Sequence, residues 1–245
     1  MILQKILLGI ILLTAQIAWA EPTLSIAVTA DFEPTLQKIA TQFQAQHQVK
    51  ILISSASTGV LYAQIMHGAP YDLFLAADQQ HPLLLAKADK IIPGSRATYA
   101  IGQLTLYQPN ATQAVTEQRL IHFKQGKIAL ANPDFAPYGL AAKQTLQHMQ
   151  LWGQLMPHLV FGESVSQAYG FIATGNVQMG FVALSQVQPP QPSSVWIVPQ
   201  SFYSPLNQQA VLLLHAQNNP EAVAFMQFLH SQSIQSLIQR AGYGI

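Results

Sequence analysis

Apolar residues along this chain form one long block at the start, then short continuous blocks separated by sets spaced three and four apart. The first block covers residues 6–17 and is broken only by Gly9, Thr14 and Gln16. Residues 24–28 read as a strand. Leu36, Ile39, Ala40 and Phe43 then recur at i, i+3, i+4 and i+7, the spacing of an amphipathic helix. Pro34 falls in the first turn of that helix, where its missing N–H costs nothing. The unit repeats as a strand at 49–54, a polar turn at 55–59 and a helix through Leu61 and Ile65 that stops at Gly68. A third copy runs from a strand at 72–76 into a helix at 82–88. Near-continuous apolar strands alternating with helices predict a mainly parallel α/β sheet.

A second region opens after Pro93-Gly94. Residues 101–107 and 127–131 read as strands, and Ala142, Thr145, Leu146 and Met149 place a helix after them. A strand at 158–161, a helix at 165–174 and a strand at 177–184 follow. The run Gln-Pro-Pro-Gln-Pro-Ser-Ser at 188–194 predicts a surface loop. Residues 209–214 read as a further strand, and two helices close the chain, the first opened by Asn219-Pro220-Glu221. The predicted architecture is α/β with two lobes, the second inserted into the first: lobe I is 21–98 with 206–245, and lobe II is 99–205. Open α/β sheets take ligands beyond the carboxyl ends of their strands, which puts the site in the cleft between the lobes.

The initial apolar block is a leader. Lys5 precedes it, and Ala18-Trp19-Ala20 follows as a small-x-small cleavage pattern, so residues 1–20 read as a signal peptide cut after Ala20. An uncleaved anchor is the weaker reading, because the block is short for a bilayer span and ends at a cleavage-type site. No second run of spanning length follows, so a soluble, exported product is expected. Losing Lys5 with the leader brings the formal net charge from +1 to 0. Bulk electrostatics then offers nothing to nucleic acid or an anionic membrane. The absence of cysteine excludes a thiol nucleophile and a thiolate metal site.

Candidate chemistry lies in the strand-to-helix turns. Ser57-Thr58-Gly59 brings two hydroxyls, a glycine that permits close approach, and the free N–H groups of a helix start. Ala136-Pro137-Tyr138-Gly139 and Glu163-Ser164-Val165-Ser166 open helices in the same way. A helix N-terminus carries about half a positive charge and suits an anion. None of the three turns contains Lys or Arg, so an anion there is held by neutral donors and dipoles. The alternative for each turn is an ordinary cap. Hydrolase signatures are missing: residues 162–166 do not form Gly-x-Ser-x-Gly, and the eight histidines show no His-x-x-x-His pairing. No catalytic residue, metal site or cofactor is expected.

These residues compose a family pattern. The run from Gly68 to Asp78, preceded by Ser57-Thr58-Gly59 and Leu61-Tyr62-Ala63-Gln64-Ile65, resembles the periplasmic molybdate-binding proteins of ABC importers. Further matches are Asn132-Pro133 through Gly139 with Ala142-Lys143, then Gly162-Glu163 to Ala168-Tyr169, Gly180 to Ser185, and Gln208 with Ala210 to Leu213. The resemblance covers essentially all of the chain after the leader. It implies the two-lobed type II periplasmic-binding fold, with molybdate or tungstate captured as a tetrahedral oxyanion. It implies ligand contacts at Ala30 and Asp31, at Thr58 with Ser57 beside it, at Tyr138, and at the backbone N–H of Val165. It further implies a periplasmic monomer that is not an enzyme and that docks on an ABC permease in the inner membrane.

Two positions depart from the pattern. Relatives often carry Arg and Asp where this chain has Asn207 and Gln209. Asp31 stands where Ser or Asn is usual, and an ionised carboxylate offers acceptors only. Asp31 either caps its own helix or faces the cleft. In the cleft it would favour a ligand that brings its own proton, such as hydrogen phosphate or hydrogen arsenate, or a cation. A receptor or sensor for such a ligand is the alternative function.

Overall fold

Strand and helix alternate from the start of the described chain, which in this computed structural model comprises residues 22–187 and 192–245. The leader at 1–20 and residues 188–191 of the expected loop lie outside it, and Pro192–Ser194 form a short 3-10 turn. The order is β1 (Thr23–Thr29), α1 (Glu33–Gln44), β2 (Lys50–Ala56), α2 (Thr58–Met66), β3 (Leu73–Ala76), α3 (Gln80–Lys87), β4 (Ala97–Gly102) and β5 (Leu104–Tyr107). There follow α4 (Gln118–Ile121), β6 (Ile128–Ala131), α5 (Pro137–His148), α6 (Trp152–Leu155), β7 (Leu159–Gly162), α7 (Val165–Ala173), β8 (Met179–Ala183) and β9 (Val195–Ile197). The chain closes with β10 (Leu206–Leu212), α8 (Pro220–Leu229) and α9 (Gln232–Arg240). No helix among the described residues is long and apolar enough to cross a membrane.

Two five-stranded sheets result, with orders β2-β1-β3-β10-β4 and β7-β6-β8-β5-β9. β1 runs parallel to β2 and β3, and β6 runs parallel to β7 and β8. All strands of the second sheet fall in sequence between β4 and β10 of the first, so the second lobe is an insertion, as expected. The crossing comes later than the expected boundary at 98/99. β4 keeps pairing with β10 up to Gly102, opposite Leu206, so residues 99–102 belong to the first sheet. The single strand expected at 101–107 is therefore two: β4 pairs with β10, whereas β5 pairs with β8 and β9.

Packing explains the apolar pattern. The α1 stripe Leu36, Ile39, Ala40 and Phe43 is buried, and it meets Phe225 of α8 on one face of the first sheet. Leu61, Ile65 and Leu85 from α2 and α3 cover the other face against Phe74 and Val211. The second sheet is sandwiched likewise, by Leu146 of α5 on one side and by Ala168 and Ile172 of α7 on the other. β3 and β6 are buried at every position, which accounts for their unbroken apolar runs. Each large side chain so buried contributes about 1.5–3 kcal/mol.

Two local features shape the cleft. The pairing of β10 with β4 slips between Gln208 and Gln209, leaving Tyr99 as the extra residue of a β-bulge. Bulges bend a strand and re-aim its side chains. The C-terminal segment folds back on the first lobe, where Gly244 exchanges two 2.8 Å backbone bonds with Ile101.

Candidate functional site

Parallel strands that start level end level, and here their ends set the site. β1 and β2 finish together at Thr29 and Ala56, and β6 and β7 finish together at Ala131 and Gly162. The turns beyond them carry Ala30 and Asp31, Ser57 and Thr58, Tyr138, and Val165, all of which are buried. Each lobe thus supplies two turns.

Direct bonds join the turns across the cleft. Ser166 Oγ donates to the Ala30 carbonyl at 2.9 Å and accepts from Gln186 Nε2 at 3.0 Å, which brings the Val165 turn against the Ala30 turn. Gly59 N–H donates to the Phe135 carbonyl at 2.9 Å. A Cβ on Gly59 would stand 2.9 Å from that oxygen, so this glycine admits the backbone of the other lobe. Gln208 Nε2 donates to the Tyr138 hydroxyl at 3.3 Å. Gly102 leaves room for this contact, since a Cβ there would collide with the Tyr138 hydroxyl.

Asp31 does not cap its helix. The N-cap of α1 is Phe32, without a side-chain cap bond. The Asp31 carboxyl is instead taken up by the first lobe: Oδ2 accepts from Gln208 Nε2 at 2.7 Å and from the Tyr243 hydroxyl at 3.2 Å. The Tyr243 hydroxyl is also 2.9 Å from the Asp31 carbonyl. Oδ1 is buried and has no partner in full hydrogen-bond geometry, although the Thr29 and Tyr138 hydroxyls lie close enough to the carboxyl to favour its ionised form. Burial pushes the Asp31 carboxyl above its ordinary range, against the opposing pull of Gln208 and of the Thr29, Tyr243 and Tyr138 hydroxyls. Burial, reinforced by the negative charge of Asp31, pushes the Tyr99, Tyr138 and Tyr243 hydroxyls well above theirs. All three tyrosines are therefore neutral donors.

The second turn holds a directed chain. Ala77 N–H donates to Thr58 Oγ1 at 3.1 Å, and Thr58 Oγ1 donates onward to Thr29 Oγ1 at 3.4 Å. Ser57 Oγ beside it is buried and unpartnered. The three turns suspected of ordinary capping divide. Ser164 does cap α7, accepting from Gln167 N at 3.2 Å, whereas α2 and α5 have no side-chain cap bond. The cleft therefore presents a free hydroxyl at Ser57, the Tyr138 hydroxyl, and helix N-termini whose first N–H groups have no intrahelical partner. Neutral donors of this kind suit an anion.

The residues missed from sequence are the ones that support the first turn: Gln208, Tyr99, Tyr243 and Thr29. Gln208 is fully buried, accepts from the Tyr99 hydroxyl at 2.8 Å, and donates to both Asp31 and Tyr138. Its only signal was membership of a matching segment. The bulge that aims it has none. Asn207 and Gln209 play no part in this network. Gln209 is engaged at the surface, accepting from Arg96 Nε at 3.2 Å and donating to Thr98 Oγ1 at 3.3 Å.

The chain and its fold have known counterparts. A family model described as bacterial extracellular solute-binding protein matches residues 24–244. The chain is 38% identical over 224 residues to the molybdate-binding protein ModA of Azotobacter vinelandii, covering 90% of this chain and 89% of that protein. It is 36% identical over 217 residues to the protein of the same name from Rhodobacter capsulatus, covering 89% and 86%. Among solved structures, the Azotobacter vinelandii periplasmic molybdate-binding protein superposes with a TM-score of 0.86 at 36% identity, over 91% of this chain and 99% of that one. The two-lobed α/β fold is that of the periplasmic binding proteins, and this chain belongs to the bacterial extracellular solute-binding protein family.

Proposed function

We propose that this chain captures molybdate or tungstate outside the cytoplasm, as an intact tetrahedral oxyanion, and presents it to an ABC permease in the inner membrane. The observation that carries this reading is the convergence of four strand-end turns, two from each lobe, on a cleft of neutral donors. The identity to two proteins named as molybdate-binding supports the choice of anion. In this reading Ala30, Asp31, Ser57, Thr58, Tyr138 and Val165 hold the ligand through its oxygens, and no protein atom ligates the metal. Lobe I comprises 21–102 and 206–245, and lobe II comprises 103–205. They close on the ligand about the crossings at 102–104 and 203–206. The leader is cut after Ala20, the periplasmic product begins at Glu21, and it acts as a monomer. It performs no chemical step. Capture of phosphate or arsenate, the alternative drawn from Asp31, is not favoured by these relatives.

Thermal melting of the chain from Glu21 onward against a panel of oxyanions tests the proposal. Molybdate or tungstate at 100 times Kd adds about 2.7 kcal/mol. For a protein of this size that raises the midpoint by roughly 5–10 °C, and phosphate and arsenate at the same concentration have little effect. No shift with any tetrahedral oxyanion would overturn the receptor reading.

A further inference from the structure

Two carboxylates are buried among the described residues, and they are treated differently. Asp72 has His215 Nδ1 at 3.0 Å and the Ser25 N–H at 2.8 Å. Asp31 has no cation beside it among the described residues. The groups around it are Thr29 at the end of β1, Tyr99 on β4, Gln208 on β10, Tyr243 in the C-terminal segment and, from the other lobe, Tyr138 on α5. The other charge acting on this cluster is Asp78, which adds negative potential at Tyr99. An ionised Asp31 beside a dianion would place like charges in a closed, dry cleft, an arrangement in which one group gains a proton.

The hydrogen bonds say where that proton goes. Oδ2 already accepts from Gln208 and Tyr243, while Oδ1 is buried with no partner in full hydrogen-bond geometry. We propose that Asp31 holds the anion as a carboxylic acid, its Oδ1 hydroxyl donating to a ligand oxygen, so that capture of a dianion takes up a proton from solvent. This rests on the oxyanion reading above and adds to it a linkage between capture and pH. The proton comes from water or buffer, and no other bond changes. The Ser or Asn that the family resemblance implies at this position would offer a donor without exchanging a proton. In this chain the same place is filled by an acid that donates only when protonated. Burial of Asp31 before any ligand arrives raises its carboxyl toward that state.

The test is calorimetric titration of molybdate into the chain from Glu21 onward, in buffers of different ionisation enthalpy between about pH 6 and pH 9. The wild type takes up about one proton per anion wherever free Asp31 is ionised, and its affinity falls up to tenfold per pH unit there. Asp31→Asn still binds molybdate, with proton uptake lost and a flat pH profile. Wild-type binding without proton uptake across the range overturns the proton linkage and leaves the receptor reading standing. Uptake that persists in Asp31→Asn also overturns it, because another group then carries the proton. Infrared difference spectra of the wild type upon molybdate addition keep the proposal testable if the variant misfolds. A protonated-carboxyl C=O band in the complex supports the proposal, and no such band overturns it. Failure to bind any oxyanion is a different result and falls on the receptor reading.

Discussion

Gln208→Leu removes the residue that ties the first turn of the cleft to both lobes, at nearly constant volume. Three bonds are lost: the 2.7 Å donation to Asp31 Oδ2, the 3.3 Å donation to Tyr138 and the 2.8 Å acceptance from Tyr99. A hydrogen bond to a charged group is worth about 1.5–3 kcal/mol. A buried hydroxyl stripped of its partner costs about 1–3 kcal/mol. Tyr99 retains the Ala76 carbonyl at 3.4 Å, a long contact that recovers a little of this. The contact with Tyr138 is long and counts for little. The ligand-free protein should lose about 3–4 kcal/mol in all, which lowers its melting midpoint by roughly 6–15 °C. The loss should also depend on pH in a stated direction. Asp31 in the folded protein binds its proton more tightly than its ordinary value of 3.8 implies, so its contribution to stability falls as pH rises from that value through the raised folded one. Removing a donor that favours the ionised form raises the folded value further. The penalty of Gln208→Leu should therefore be larger near pH 8 than near pH 5. Urea unfolding of both proteins at the two pH values measures it. A variant within about 0.5 kcal/mol of wild type at both would refute the assignment of Gln208 as the buried link.

Two further substitutions separate ligand contact from architecture. Ser57 Oγ is buried without a partner, so Ser57→Ala should leave the ligand-free protein as stable or up to about 1 kcal/mol more stable while weakening molybdate binding. Urea unfolding beside calorimetric titration checks this, and unchanged affinity would remove Ser57 from the site. Gly59→Ala puts a Cβ against the Phe135 carbonyl of the other lobe, which should reduce affinity by about 1–3 kcal/mol without lowering the melting point. Small-angle scattering should show the variant less compact than wild type in the presence of molybdate, and equal compaction at equal affinity would refute the role given to this glycine.

Local pattern was enough for much of this molecule. The i, i+3, i+4, i+7 stripe of α1 and the unbroken apolar strands β3 and β6 report burial directly, because the period and continuity of apolar residues follow from which faces are covered. The insertion of one lobe into the other, and the four turns at Asp31, Thr58, Tyr138 and Val165, were legible in the sequence for that reason and through the resemblance to a family. What the turns do with their side chains was not legible. Residues 101–107 read as one strand because a strand pattern records alternation and burial, not the partner; tertiary pairing splits it at Gln103 and sends its halves to different sheets. The helix-cap role considered for Asp31 is a local interaction. The observed one joins it to Gln208 and Tyr243, 177 and 212 residues away, across a β-bulge at Tyr99 that no spacing of residues announces. Elements depend on neighbours in sequence and could be read there. The hydrogen bonds of a buried carboxyl depend on neighbours in space, and only the packed fold chose them.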